Sequence, residues 1–167
     1  MKLDDIATLY VGNLKDMLDA ERQLTGALPR LAKKAGNAEL RAAFEEHLEV
    51  TASHLDQVED RLEAATGSTR AKNCKGMEGL IAEGREILDS DGDADVIDAG
   101  LIVAAQKVEH YEIAAYGSLR ALARMMGDEN AADRFGAILD DERAADEKLS
   151  EIATAMVNVE AAASGRS

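Results

Sequence analysis

The sequence predicts an all-α four-helix bundle, made of two antiparallel hairpins joined by a long crossover that carries a short fifth helix. Three observations lead there. Proline is nearly absent, Pro29 being the single one, while Ala, Leu, Glu, Lys and Arg abound, a composition that favours long helices. Apolar residues recur at three- and four-residue spacing through four long stretches, the period of a helix with one buried face. The breaks between those stretches run short, long, short. At 167 residues, 46% of them apolar, the chain suits one domain with a sizeable core. We expect that domain over 1–160 and a disordered tail over 161–167. Aromatics are only 3%, with no Trp, so Leu, Ala, Ile and Val must do most of the packing.

The first helix is expected from about Leu3 to Ala35, with Leu3, Ala7, Tyr10, Leu14, Met17, Leu24, Leu28 and Leu31 at heptad spacing and Glu21 in the one remaining place. Pro29 bends its last turns or weakens one backbone bond. Gly36 ends it, and Asn37 can cap the next helix. The second is expected from about Ala38 to Ala65. Its stripe is Leu40, Phe44, Leu48, Leu55, Val58 and Leu62, with His47, Thr51 and His54 beside it. Thr66 to Gly76 lacks periodicity and reads as a loop. A short helix follows from about Met77 to Leu88. Ser90-Asp91-Gly92-Asp93 breaks the chain again, leaving Asp93 or Asp95 as a cap. The third long helix is expected from about Val96 to Met126, burying Ile102, Ala105, Glu109, Glu112, Tyr116 and Leu119. Gly127-Asp128 turns into the fourth, from Glu129 to about Val159, with Phe135, Leu139, Glu142, Asp146, Leu149 and Met156 on one stripe. Very short outer turns make each pair an antiparallel hairpin. Two hairpins joined by one long crossover form the ferritin-like arrangement.

Net charge is -14, which argues against nucleic acid, because phosphate binding needs a basic surface. No secretory leader is evident at the acidic start, and the longest apolar runs are far too short to span a bilayer. Cys74 stands alone, so no intrachain disulfide can form. These observations lead us to expect a cytoplasmic protein that engages neither membrane nor nucleic acid. Glycine-rich phosphate loops, nucleophile elbows and CxxC pairs are missing.

The informative feature is acids at core positions. Carboxylates are almost never fully buried without a partner, yet Glu21, Glu109, Glu112, Glu142 and Asp146 all interrupt apolar stripes. Residues equidistant from a hairpin turn lie side by side. Glu21 is therefore expected level with Thr51, between His47 and His54, and the Glu109–Glu112 pair level with Glu142 and Asp146. Both hairpins thus place their polar residues near mid-bundle, as an approximate two-fold site would require. Like charges crowded at low dielectric would take up protons unless cations balanced them. Oxygen-rich sites with one or two imidazoles suit two ions of iron (Fe2+/Fe3+) or manganese. The candidate ligands are Glu21, His54, Glu109, Glu112, Glu142 and Asp146. His47 reads as a packed or interfacial histidine, Glu45, Glu46 and Glu49 as solvated with Glu49 the best substitute ligand among them, Tyr10 and Tyr116 as core, His110 as a surface or subunit contact, and Cys74 as a loop thiol.

The run Gln106-Lys107-Val108-Glu109-His110-Tyr111-Glu112-Ile113-Ala114-Ala115-Tyr116-Gly117 resembles the signature of the YciF/YciE-type ferritin-like bacterial proteins. Asp19 to Leu24, Cys74 to Ile81 and Asp141 to Asp146 match the same pattern. The resemblance implies a bundle, often dimeric, associated with bacterial stress responses, and a di-iron site. One departure stands out: Val50 occupies a position where that family often has Glu. The expected function is a stress-associated protein that oxidises iron or activates oxygen or peroxide, as a homodimer. The alternatives are a non-catalytic interaction protein with a degenerate site, or iron storage in a many-subunit shell.

Overall fold

The computed structural model describes residues 4–157. Within them the chain forms α1 (Ile6–Lys34), α2 (Ala38–Thr66), α3 (Lys75–Leu88), α4 (Ala94–Met125) and α5 (Glu129–Ile152), the last prolonged by a π-helical turn over Ala153–Val157. Among the described residues there is no strand, and no helix is long and apolar enough to cross a membrane. Helices of 29, 29, 32 and 24 residues make the bundle, each about 35–50 Å long at 1.5 Å per residue.

The ends follow local chemistry. Asp5 caps α1 through Thr8 N, and Ala7 is exposed, so the buried stripe begins at Tyr10. Leu3 lies outside the described residues. Pro29 sits inside α1 without ending it. The side chains of Asn37, Asp93 and Asp128 each accept backbone N–H groups at the starts of α2, α4 and α5, and the Asp93 cap starts α4 two residues before the expected Val96. Cys74 does the same for α3, its sulfur accepting from Met77 N at 3.4 Å, and α3 starts at Lys75 rather than Met77. Gly67 and Gly127 close α2 and the α4–α5 turn at φ 70° and 76°, left-handed values that glycine adopts without strain. The expected end of the fourth helix at Val159, and the tail over 161–167, lie outside the described residues.

In cross-section the order around the bundle is α1, α2, α5, α4. α1 packs antiparallel to α2, and α4 to α5. Pairs such as Lys148–Glu46 and Arg61–Asp128 show that α2 and α5 also run antiparallel. The crossover helix α3 lies over the α1–α4 groove, whereas the α2–α5 groove carries no described helix. Two ties join the hairpins at opposite ends. At one, the buried Asp98 carboxylate of α4 accepts Gly36 N and Asn37 N at 2.9 and 2.6 Å. At the other, the Arg61 guanidinium bonds Asp128 and also donates to the Tyr10 hydroxyl at 2.9 Å.

The α2 face differs from the expected one. Leu48 and Leu55 are only half-buried, and the inward row is Leu40, Phe44, His47, Thr51, His54, Val58 and Leu62. Spacings of four and three hold through the polar trio, which therefore forms the centre of the stripe rather than its edge.

Cys74 is not a loop thiol. It is buried, and its sulfur sits 3.0 Å from the Tyr111 hydroxyl and 3.3 Å from Asp16 Oδ2. Tyr111 donates to the same Asp16 oxygen at 3.0 Å. This ring is pinned against Gly76, where a Cβ would lie 2.7 Å from Tyr111 Cε2. Gly76→Ala is expected to lower Tm by on the order of 5 °C through overpacking, read by circular dichroism. An unchanged Tm would mean that the Tyr111 ring yields.

Candidate metal centre

Each bundle helix contributes acids or imidazoles to one layer. Glu21 comes from α1, one heptad from Leu14 and Leu28. Glu109 and Glu112 come from one face of α4, and Glu142 from α5 beside Leu139. His47 and His54 are seven residues apart on α2 and so share a face. All six are buried, Glu21 and Glu112 completely.

The layer divides into two overlapping groups. His47, Glu109, Glu112 and Glu142 can each offer a ligand atom within 4.8 Å of the others, and so can Glu21, His54 and Glu142. Glu142 belongs to both. His47 Nε2 lies 3.4 Å from Glu109 Oε1 and 3.7 Å from Glu142 Oε2. His54 Nδ1 lies 2.9 Å from Glu142 Oε1, without the directionality of a hydrogen bond. On its outer side His54 Nε2 meets Asp141 Oδ2 at 3.1 Å, a carboxylate that orients the imidazole and leaves Nδ1 facing inward. Tyr116 donates its hydroxyl proton to Glu21 Oε1.

Much of the layer's hydrogen-bonding capacity is unmet. Glu21 Oε2, Glu109 Oε2, both oxygens of Glu112 and of Glu142, His47 Nε2, His54 Nδ1 and Thr51 Oγ1 are buried without a hydrogen-bond partner. Orphaned polar atoms are costly, on the order of 1–3 kcal/mol each and more for charged groups. Nine in one place call for a shared partner, and an oxygen-rich set with two imidazoles is the donor chemistry of iron and manganese. The residues present therefore fit a bound metal cation.

Protonation expresses the same strain. Burial, then the charge of Glu142, pushes Glu21 up to about 8. Burial and neighbouring carboxylates raise Glu109 and Glu112 well above the usual range. Burial disfavours the His54 cation, but Glu142, Glu21 and Asp141 outweigh it and lift the group to about 9. Burial lowers His47, against the pull of Glu142. Burial and the Glu21 charge raise Tyr116.

Of the six sequence-predicted ligands, Glu21, His54, Glu109, Glu112 and Glu142 meet in the layer. Asp146 does not. It lies half-buried at the α4–α5 seam, accepting from Gln106 Nε2 at 3.1 Å and facing His110 Nε2 at 3.6 Å. His47 stands in the layer instead, although the sequence reading made it a packing residue. Its four-residue step to Thr51 was the available signal. Asp141, adjacent to Glu142 in the sequence, was missed as the His54 partner. Glu49 is exposed, as is His110.

Two cavities approach the layer from opposite sides, and Glu109 lines both. A cavity of about 240 Å³ in the α2–α5 groove is lined by His47, Val50, Glu109, Asp141, Glu46 and Lys148, among others. A larger one, about 460 Å³, lies beneath α3 between α1 and α4.

The family model "Domain of unknown function (DUF892)" matches residues 5–162. Protein YciF of Escherichia coli (strain K12) is 40% identical over 162 residues, 96% of this chain and 98% of that protein. The crystal structure of the E. coli stress protein YciF superposes with a TM-score of 0.88, covering 93% of this chain and 98% of that one. YcfI of Rhodopseudomonas palustris, 33% identical, gives 0.85 over 89% of this chain and 95% of its own. A Dps protein from Bacillus brevis gives 0.65 at 16% identity, covering 91% and 99%, which shows a shared fold alone. Family match, near-complete coverage and common architecture agree: the chain belongs to the DUF892 family and is a YciF-like protein of ferritin-like fold.

Proposed function

We propose that this chain is a stress-associated protein whose buried layer holds two ions of iron or manganese and uses them to oxidise iron or to activate oxygen or peroxide. The observation that carries the reading is the convergence of four glutamates and two histidines with their inward atoms unpaired. His47, Glu109 and Glu112 would hold one ion and Glu21 and His54 the other, with Glu142 within reach of both. When bound, the ions supply a change of oxidation state that these side chains lack.

The chain's own groups prepare the layer. Tyr116 fixes one oxygen of Glu21 and leaves the other free. Asp141 holds His54 in the orientation that presents Nδ1. Protons held on Glu21, Glu109 and Glu112 without cations leave when cations bind, so loading near neutral pH releases acid. Val50 lines the α2–α5 cavity at the place where the resemblance expects Glu. His47, one turn earlier on the same helix, compensates from the same side. This cavity, lined by both His47 and Glu109, is the route by which cations reach the layer.

Metal content after anaerobic loading with Fe2+ or Mn2+, measured by elemental analysis, tests the assignment. Glu142→Gln is expected to lose both ions, His47→Ala one of the two, and Asp146→Asn neither. Wild-type protein that retains no iron or manganese would sink the proposal.

The stability of the metal-free protein should also fall as pH rises. Glu21, with its folded value near 8, holds a proton that the unfolded chain releases from about pH 4.5, and Glu109 and Glu112 act in the same direction. For Glu21 that stability is fully present below about pH 4.5 and lost by about pH 8, and Glu109 and Glu112 lose theirs in the same direction as pH rises. His54, raised to about 9, adds a loss above pH 6.5, whereas the lowered His47 works against the trend only below about pH 6.5. Tm of metal-free protein should be lower at pH 8 than at pH 5 by on the order of 10 °C, and the metal-loaded protein should show much less of this slope. Equal slopes with and without metal would contradict the role given to the cations.

A further inference from the structure

We propose that the cavity beneath α3 is a binding site for a small amphipathic organic anion, a carboxylate carrying an apolar chain, whose chain end reaches the Glu109 edge of the acid layer. The cavity holds about 460 Å³, within the size range of small-molecule sites. Its walls are apolar: Leu24, Leu28 and Leu31 of α1, Leu80 and Ile81 of α3, and Val108 of α4 all line it.

Charge at the lining selects the sign of the ligand. Arg22, Arg30 and Arg85 line the cavity, although acids outnumber bases 33 to 19 in the chain. Arg22 is engaged with Glu59 at 2.8 Å. Arg30 and Arg85 have no carboxylate partner among the described residues, and both are exposed. Glu78, the acid on the α3 wall, accepts from Asn73 Nδ2 at 2.9 Å. Two unengaged guanidiniums above an apolar chamber match a carboxylate head with an apolar tail, because guanidinium pairs with carboxylate in a two-pronged geometry. Among the described residues the opposite groove offers no such free cations, since its Lys148 is paired with Glu46 and its Asp141 with His54.

The inner end is marked independently. Glu109 lines the cavity, is 3% exposed and has Oε2 unpaired. An occupant anchored at the arginines extends its far end toward this residue. That last step deepens the metal reading given above, because Glu109 is assigned there to an ion. Binding itself does not depend on that reading.

The test uses the full chain, metal-free and loaded with Mn2+, titrated by calorimetry with octanoate, octylammonium and 1-octanol. Octanoate should bind once per chain, more tightly than either neutral or cationic analogue. The double variant Arg30→Glu/Arg85→Glu should weaken octanoate by roughly tenfold while leaving metal content unchanged. Ala27→Phe, which fills the chamber from α1, should abolish binding. In the Mn2+ form the terminal methyl proton signal of octanoate should broaden more than that of the methylene next to its carboxylate. Absence of octanoate binding to metal-free protein, equal binding of the three probes, or full affinity in both variants would overturn the proposal. Greater broadening at the carboxylate end would overturn the orientation. Should the chain take up no manganese, the metal reading fails while the metal-free titrations still decide this one.

Discussion

Crowding of negative charge in a dry layer is the constraint to which the rest of the molecule answers. Two carboxylates about 4 Å apart repel by roughly 4 kcal/mol at an effective dielectric of 20, and here four share one level with two imidazoles. Each is held in place by apolar residues a heptad away on its own helix, so none can swing out to water without dragging its helix face with it. The long helices serve this end: the layer lies near mid-bundle, with closed packing above and below.

The packing beside the layer is specialised. The chain has only three Tyr and two Phe, yet Tyr10, Tyr116 and Phe135 form a column in which successive rings lie 6.2–6.3 Å apart, and His54 joins it at 6.2 Å from Tyr116. Rings offer large rigid surface with little loss of rotamer freedom. Gathering them here stiffens the wall on which His54 and Glu21 rest, while aliphatic residues suffice elsewhere. Tyr116 serves twice, as a wall and as the hydroxyl that fixes Glu21.

The fold was legible because it depends on periodicity and on turn length, both local properties of the sequence. Helix ends moved by one to three residues, and for stated causes: Asp5 starts α1 at Ile6 rather than Leu3, while Cys74 and Asp93 act as caps slightly before the positions where periodicity begins. Within the site, Glu21, Glu109, Glu112 and Glu142 could be read from heptad place alone. The errors arose where a stripe is ambiguous by one residue. On α2 the row through Leu48 and Leu55 looked more apolar than the row through His47 and His54, and only the packing of the other three helices decides which one faces inward. On α5, Asp146 keeps the heptad spacing but is drawn to the α4 seam by Gln106, a partner that no single-helix pattern reveals. The role of Cys74 was hidden for the same reason, since Asp16 and Tyr111 are distant in sequence.

The two ties at the bundle ends have a consequence for how the crossover can vary. Asp98 fastens the second hairpin to the turn of the first, and Arg61 fastens α2 to the start of α5. Registry between the hairpins is thus fixed by side chains from the long helices themselves. The connecting segments before and after α3 are relieved of that duty, and longer closed loops add little entropic penalty. Length changes at Ser90–Gly92 could therefore accumulate during divergence, or be grafted in by design, while the spacing of the buried acids stays constant.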